Sequence, residues 1–162
     1  MWIIPTDITR NNCLVLLDSE KKITEEGLKH SSTKLLPPET ILMTSRASIG
    51  FFGLIDMEVC TNQGFISIIP KKKNLRMYLL HNLISRRDEI ELRASGSTYK
   101  EINKTTFRER GIVIPDVVLL DLFYQFSYDT IKQTRILKKQ ILKLKHTRDL
   151  LLPRLMNGEI AV

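Results

Sequence analysis

The sequence predicts an α/β (α+β) domain, with a curled β-sheet and short helices, followed by one long C-terminal coiled-coil helix. Three observations predict it. Short runs rich in β-branched and aromatic residues, spaced by Gly or Pro, fill residues 40–70. A helical apolar period replaces them from Leu75 to about Leu92. From Asp116 nearly to the end the chain reads as one helix, in which Leu137, Ile141, Leu144, Leu151 and Leu155 recur at spacings of four, three, seven and four. That a/d seam is the pattern of a helix packed lengthwise on another, so the molecule is expected to work by pairing.

The elements follow in order. Residues 2–17 read as a short strand, a turn at Thr6-Asp7, and the apolar run Cys13–Leu17. Ile23–Leu28 is one brief helical turn, capped by Thr24 and stopped by Gly27. Two prolines make Lys34–Thr40 a turn. Strand candidates follow at Thr40–Arg46, Phe51–Ile55 and Phe65–Pro70, the last entered through Glu58–Gly64. On the Leu75–Leu92 helix, Leu75, Tyr78, Leu79, Leu83 and Ile90 fall roughly on one face. Ser95-Gly96-Ser97-Thr98 is a polar loop, Ile102–Phe107 another helical turn, and Gly111–Pro115 a last strand. Pro115 marks the expected boundary between a domain of residues 1–115 and a helix and tail of residues 116–162.

At 162 residues the chain can hold one real core plus an appended helix. No apolar run approaches the roughly 18–20 residues of a membrane span, and the N-terminus lacks the pattern of a secretion signal. Cys13 and Cys60 stand 47 residues apart with no CxxC, which suits free thiols in a reducing cytoplasm. The formal charge is +7, unevenly spread. Residues 71–112 carry eleven Lys/Arg against five acids, and residues 131–155 eight against one. A polyanion such as nucleic acid would explain both blocks; for the helix alone, a lysine-rich solvated face explains its own block equally well.

Catalytic signatures are missing. There is no P-loop, GxGxxG or G-x-S-x-G, and no visible S-adenosylmethionine signature. Asp56 and Glu58 lack a following lysine at nuclease spacing, and Asp88–Glu91 reads as a solvated helix face. His30, His81 and His146 are isolated from one another and from the cysteines, so no zinc spacing exists. No cofactor is expected.

Four stretches carry a resemblance: Leu36–Gly50 (LPPETILMTSRASIG), Cys60–Phe65 (CTNQGF), Arg93–Thr98 followed by Glu101-Ile102, and Thr147–Ile160 (TRDLLLPRLMNGEI). In this order and spacing the chain resembles the target-recognition half of a type I restriction–modification specificity subunit. The resemblance implies a non-catalytic subunit that binds double-stranded DNA. Each recognition domain would read half of a split site, and long helices would set the distance between halves. It also implies docking to modification subunits that methylate adenine and, through them, to restriction subunits. Full-length members carry two recognition domains and two antiparallel helices. One of each, as in half-size members, implies a homodimer and a split palindrome. Trp2–Ile8 resembles the interior of such a domain, so a truncated chain that serves only dimerisation and assembly is the alternative expectation.

Within this frame the candidate DNA contacts are Arg46, Lys71, Lys72, Lys73, Arg76, Ser95, Ser97, Thr98 and Lys100. Arg46 follows a strand and precedes a Ser-Ile-Gly turn, a position suited to phosphate or to guanine, or to a structural ion pair. The Lys71–Lys73 run with Arg76 suits phosphate, or a solvated loop. The hydroxyls of the Ser95–Thr98 loop suit phosphate or base edges, or a helix cap. Asn62 and Gln63 could read adenine, though their place before Gly64 favours a structural role. Leu137, Ile141, Leu144 and Leu151 form the dimerisation seam, which Arg148 interrupts.

Overall fold

A computed structural model describes residues 1–96 and 99–160. In chain order the elements are β1 (Trp2–Ile3), α1 (Pro5–Thr9), α2 (Glu25–Lys29), β2 (Ile41–Thr44), β3 (Phe52–Leu54), β4 (Cys60–Thr61), β5 (Phe65–Ile68), α3 (Leu75–Ser85), α4 (Arg87–Leu92), α5 (Lys104–Arg108) and α6 (Val117–Met156). The α+β domain with a long terminal helix is therefore the architecture present.

The centre is a three-stranded antiparallel sheet, ordered β3-β2-β5, with Met43 opposite Phe52 and Ile66. Every residue of β2 is buried, because the strand is covered on both faces. Its side chains alternate with the period of two that a strand imposes. Ile41 and Met43 point into a core with Met77, Leu80, Leu83, Ile90, Ile102 and Ile131. Leu42 points into a second core with Ile3, Ile8, Leu16, Ile55, Val59 and Phe65. The sheet thus lies between α3, α4 and the root of α6 on one side and the N-terminal segment on the other. A parallel pair, β1 with β4, ties the N-terminus to the second core. Gly53 lets Ile8 of α1 lie close on β3: a Cβ there would stand 2.8 Å from Ile8 Cδ1, and that side chain would have to shift.

Four local readings are corrected. Thr6-Asp7 lies in a helix, α1, not a turn. Pro5 opens it, and Asp7 folds back so that Oδ2 accepts from Ile4 N at 2.9 Å. Thr24 does cap α2, accepting from Gly27 N at 3.0 Å, but Gly27 sits inside the helix rather than ending it. The stretch from Leu75 to Leu92 is two helices, because Arg86 at φ −108°, ψ 22° breaks the ladder. The Arg86 guanidinium donates to Glu89 and, at 3.0 Å, to Gly111 O, and the bend turns Ile90 into the core. Gly111–Pro115 forms no strand. Among the described residues no neighbouring strand presents it a partner; Val113 and Ile114 are exposed, and Tyr78 Oη donates to Val113 O.

Helix α6 opens on Asp116, whose Oδ1 accepts from Val118 N at 2.8 Å. Its first four turns pack on α3: Leu120 and Ile131 are buried, and Phe123 meets His81 edge-on at 5.5 Å. Asn74 Nδ2 donates to Asp121 at 2.8 Å. The last hydrogen bond to the domain comes from Lys138, whose Nζ donates to Val15 O at 2.7 Å, and Leu142 one turn on still borders the N-terminal segment near Leu17. From Lys139 to the helix end every residue is exposed.

Candidate nucleic-acid interface and pairing surface

The predicted contact residues separate into two clusters. Arg46 leaves the end of β2, and its Nε lies 2.7 Å from Glu101 Oε2. Glu101 also exchanges backbone hydrogen bonds with Ser95, and Ala47 N donates to Lys100 O at 3.0 Å. Arg46, Ser95 and Lys100 are therefore brought together by the segment that Glu101 stitches to the sheet. Ser97 and Thr98 lie outside the described residues. Arg87 adds a cation to this end, its guanidinium 4.0 Å from the Phe51 ring centre. Gly50, at φ 75°, makes room, since a Cβ there would meet Arg87 Cγ at 2.8 Å.

The lysine run sits elsewhere. Because Thr44 pairs with Phe65 and Ile41 with Ile68, Arg46 lies at one end of the β2–β5 ribbon and Lys71–Lys73 at the other. The four-residue ribbon alone spans roughly 13 Å, and both clusters lie beyond its ends. Lys71 and Lys72 are exposed. Lys73 leans on α6, with Nζ 5.5 Å above the Tyr128 ring. Tyr124, then Glu39, hold its ammonium above the usual lysine range.

Arg76 is not on this surface, which corrects the expectation for it. Its side chain is 1% exposed, and Nη2 lies 2.9 Å from Asp56 Oδ1 and 3.3 Å from Ile55 O. Burial pushes its pKa down. Arg135 of α6 pairs with the other oxygen of Asp56. Arg76 thus serves as an internal anchor between β3, α3 and α6 and cannot reach a phosphate.

A groove of about 800 Å³ runs along the free edge of β5. Its walls are Phe65–Ile69, Ser31–Lys34, Asn62 and Gln63, and Lys104, Phe107 and Arg108 of α5. Asn62 keeps the structural role that its position suggested: Oδ1 accepts from Gly64 N at 3.0 Å. Lys34, Lys104 and Arg108 were missed by sequence reasoning. The available signal was the i, i+4 spacing of Lys104 and Arg108, which puts both on one face of a short helix.

The pairing seam lies open. Leu137, Ile141, Leu144 and Leu151 are all exposed, Leu144 at 69%. Arg148 faces solvent and bonds Asp149, its chain neighbour, at 2.6 Å. With about 100° per residue, Leu119, Leu122, Phe123 and Phe126 fall on the same side of α6 as this seam. They too are exposed, Phe126 at 77%. The apolar stripe therefore runs from Leu119 to Leu155, about a quarter-turn from the face that packs on α3. Thr130, Gln133 and Arg148 interrupt it near its centre line, and Thr134 and Gln140 at its margins.

Residues 2–143 match the family described as the type I restriction modification DNA specificity domain. The chain belongs to that family. It is 32% identical over 152 residues to the type I restriction enzyme MjaIX specificity subunit of Methanocaldococcus jannaschii, covering 88% of this chain and 35% of that protein. To the HindI specificity subunit of Haemophilus influenzae it is 28% identical, over 93% of this chain and 33% of the relative. The EcoR124I/EcoR124II specificity subunit of Escherichia coli is 39% identical, over 60% and 24%. The chain thus spans about a third of the length of the first two relatives.

Among the described residues no helix is long and apolar enough to cross a membrane, and no cluster of His, Cys, Asp and Glu is arranged to hold a metal.

Proposed function

We propose that this chain is a DNA-reading, non-catalytic part of a type I restriction–modification system. Residues 1–115 bind one half-site of double-stranded DNA, and the helix and tail, residues 116–162, pair with a second copy. The pair then holds the two half-sites at a fixed separation and presents a docking surface for modification subunits, which in turn recruit restriction subunits. The observation that carries this reading is the joint layout of charge and apolar surface in a member of this family. Basic side chains flank both ends of one β-ribbon, and α6 leaves an apolar stripe open in two stretches, Leu119–Phe126 and Leu137–Leu155. Phosphate neutralisation supplies much of the binding, so affinity falls steeply with salt. Two-fold pairing makes the recognised site a split palindrome.

The test is selection of bound sequences from a randomised duplex pool by the full chain, at about 50 and 200 mM salt, with solution mass measured by light scattering beside it. The expected result is a dimer that enriches an interrupted palindrome and loses affinity with salt. A duplex affinity indifferent to salt would count against the reading.

An assembly-only role is the second reading. The ion pairing of Arg46 and the burial of Arg76 favour it, since both are committed within the fold. Capture of the modification subunit with no enrichment from the pool would support it.

A further inference from the structure

We propose that the groove along the free edge of β5 cradles one sugar–phosphate ridge of the duplex, with Gln63 at its mouth reading a base edge. The inference rests on the DNA-reading function above and assigns it to residues outside the two basic clusters.

Charge selects the occupant first. Lys34, Lys104 and Arg108 line the groove, and no Asp or Glu does. Among the described residues none of these three cations is ion-paired, whereas Arg46 and Arg76 each already hold a carboxylate. An unneutralised, acid-free wall favours a polyanion.

Position selects it next. The groove runs the length of β5, from Phe65, paired with Thr44 two residues before Arg46, to Ile69, two residues before Lys71, so a phosphate backbone lying in it would point at each end toward a basic cluster. β5 is an edge strand, and its unpaired backbone groups add donors along the same line. Such contacts fix register without reading sequence.

Reading requires a donor–acceptor pair free to reach a base. Thr33 Oγ1 is already used by Thr61 O, Ser31 Oγ by Leu28 O, and Asn62 Oδ1 by Gly64 N. Gln63 is exposed at the rim. Its amide carries both the donor and the acceptor that match adenine's N7 and N6.

The experiment repeats the duplex selection with the full chain and the exposed-site variants Gln63→Ala, Lys104→Gln and Arg108→Gln, with Lys139→Gln on the free part of α6 as the charge-matched control. Expected for Lys104→Gln and Arg108→Gln is several-fold weaker binding with the selected sequence kept, and a salt slope shallower by about one each. Gln63→Ala should keep the slope and relax preference at one base position by about tenfold. Wild-type enrichment of a sequence, with the groove variants matching wild type in affinity and preference, overturns the groove while leaving the DNA-reading function intact. Failure of the wild type to bind duplex overturns both.

Discussion

Arg76 Nη2 stands 2.9 Å from Asp56 Oδ1 inside the fold, and Arg135 takes the other oxygen of the same carboxylate. One acid beyond the end of β3 therefore joins α3 to α6. Lys73 above Tyr128 and Asn74 on Asp121 lie beside it, so the root of the long helix is held by directional contacts as well as by apolar packing.

Removing that acid strands a buried guanidinium. Asp56→Ala is expected to destabilise the fold by about 3–5 kcal/mol, as for one partner lost from a buried ion pair. The double variant with Arg76→Met should recover a large part, because the uncompensated charge is gone. Urea unfolding of the two single variants and the double gives the coupling directly; a double variant as unstable as the sum of the singles would refute the anchor.

Pairing is expected to use the whole apolar stripe, not only its distal half. Ile141→Asp and Phe126→Asp should each turn the proposed dimer into a monomer without loss of helix content, since both side chains are already in solvent. Light scattering with circular dichroism tests this. A dimer that survives Phe126→Asp would confine the interface to the distal leucines.

The exposed lysines at the start of α3 should behave as phosphate contacts. Lys71→Gln with Lys72→Gln is predicted to weaken duplex binding alike across sequences and to flatten the log–log salt dependence by about two. An unchanged slope would return the run to an ordinary solvated loop.

Glu89 sets a pH dependence. Arg86 hydrogen-bonds it, Arg110 and Arg93 surround it, and together they hold its carboxyl below the usual range against the opposing effect of desolvation. A depressed folded-state pKa means that stabilisation is present above the unfolded value, about 4.3, and drains away as pH falls through the folded one. Glu89→Gln should therefore lower the melting temperature at pH 7, with the gap to wild type closing in acid. A gap constant between pH 7 and pH 3 would sink the assignment.

Much of the fold was legible because its signals are periodic and local. The apolar run at Ile41–Thr44, the β-branched and aromatic runs at Phe52 and Phe65, and the Asp116 start of α6 all belong to short windows. What was lost depends on distant partners. Arg76 reads as a surface cation until Asp56, twenty residues earlier, is seen beneath it. The break at Arg86 depends on Gly111 O, and Gly111–Pro115 looks like a strand until no strand is found beside it. Only the distal half of the apolar stripe announced itself, because Thr130 and Gln133 interrupt the pattern before it resumes at Phe126. At the candidate interface, sequence located the charged segments. It could not tell the free cations of the groove from those already bound inside the protein.

The exposed stretch of α6 from Lys143 to Met156 is a cantilever about 21 Å long, held at its base. A tilt of about 5° at the Asp56 anchor would carry its tip some 2 Å sideways over that length. Small angular errors are thus geared up into displacement. In the proposed pair, the tolerance with which two such rods can register is then decided at the root of each, where charged contacts and apolar packing hold it to its domain.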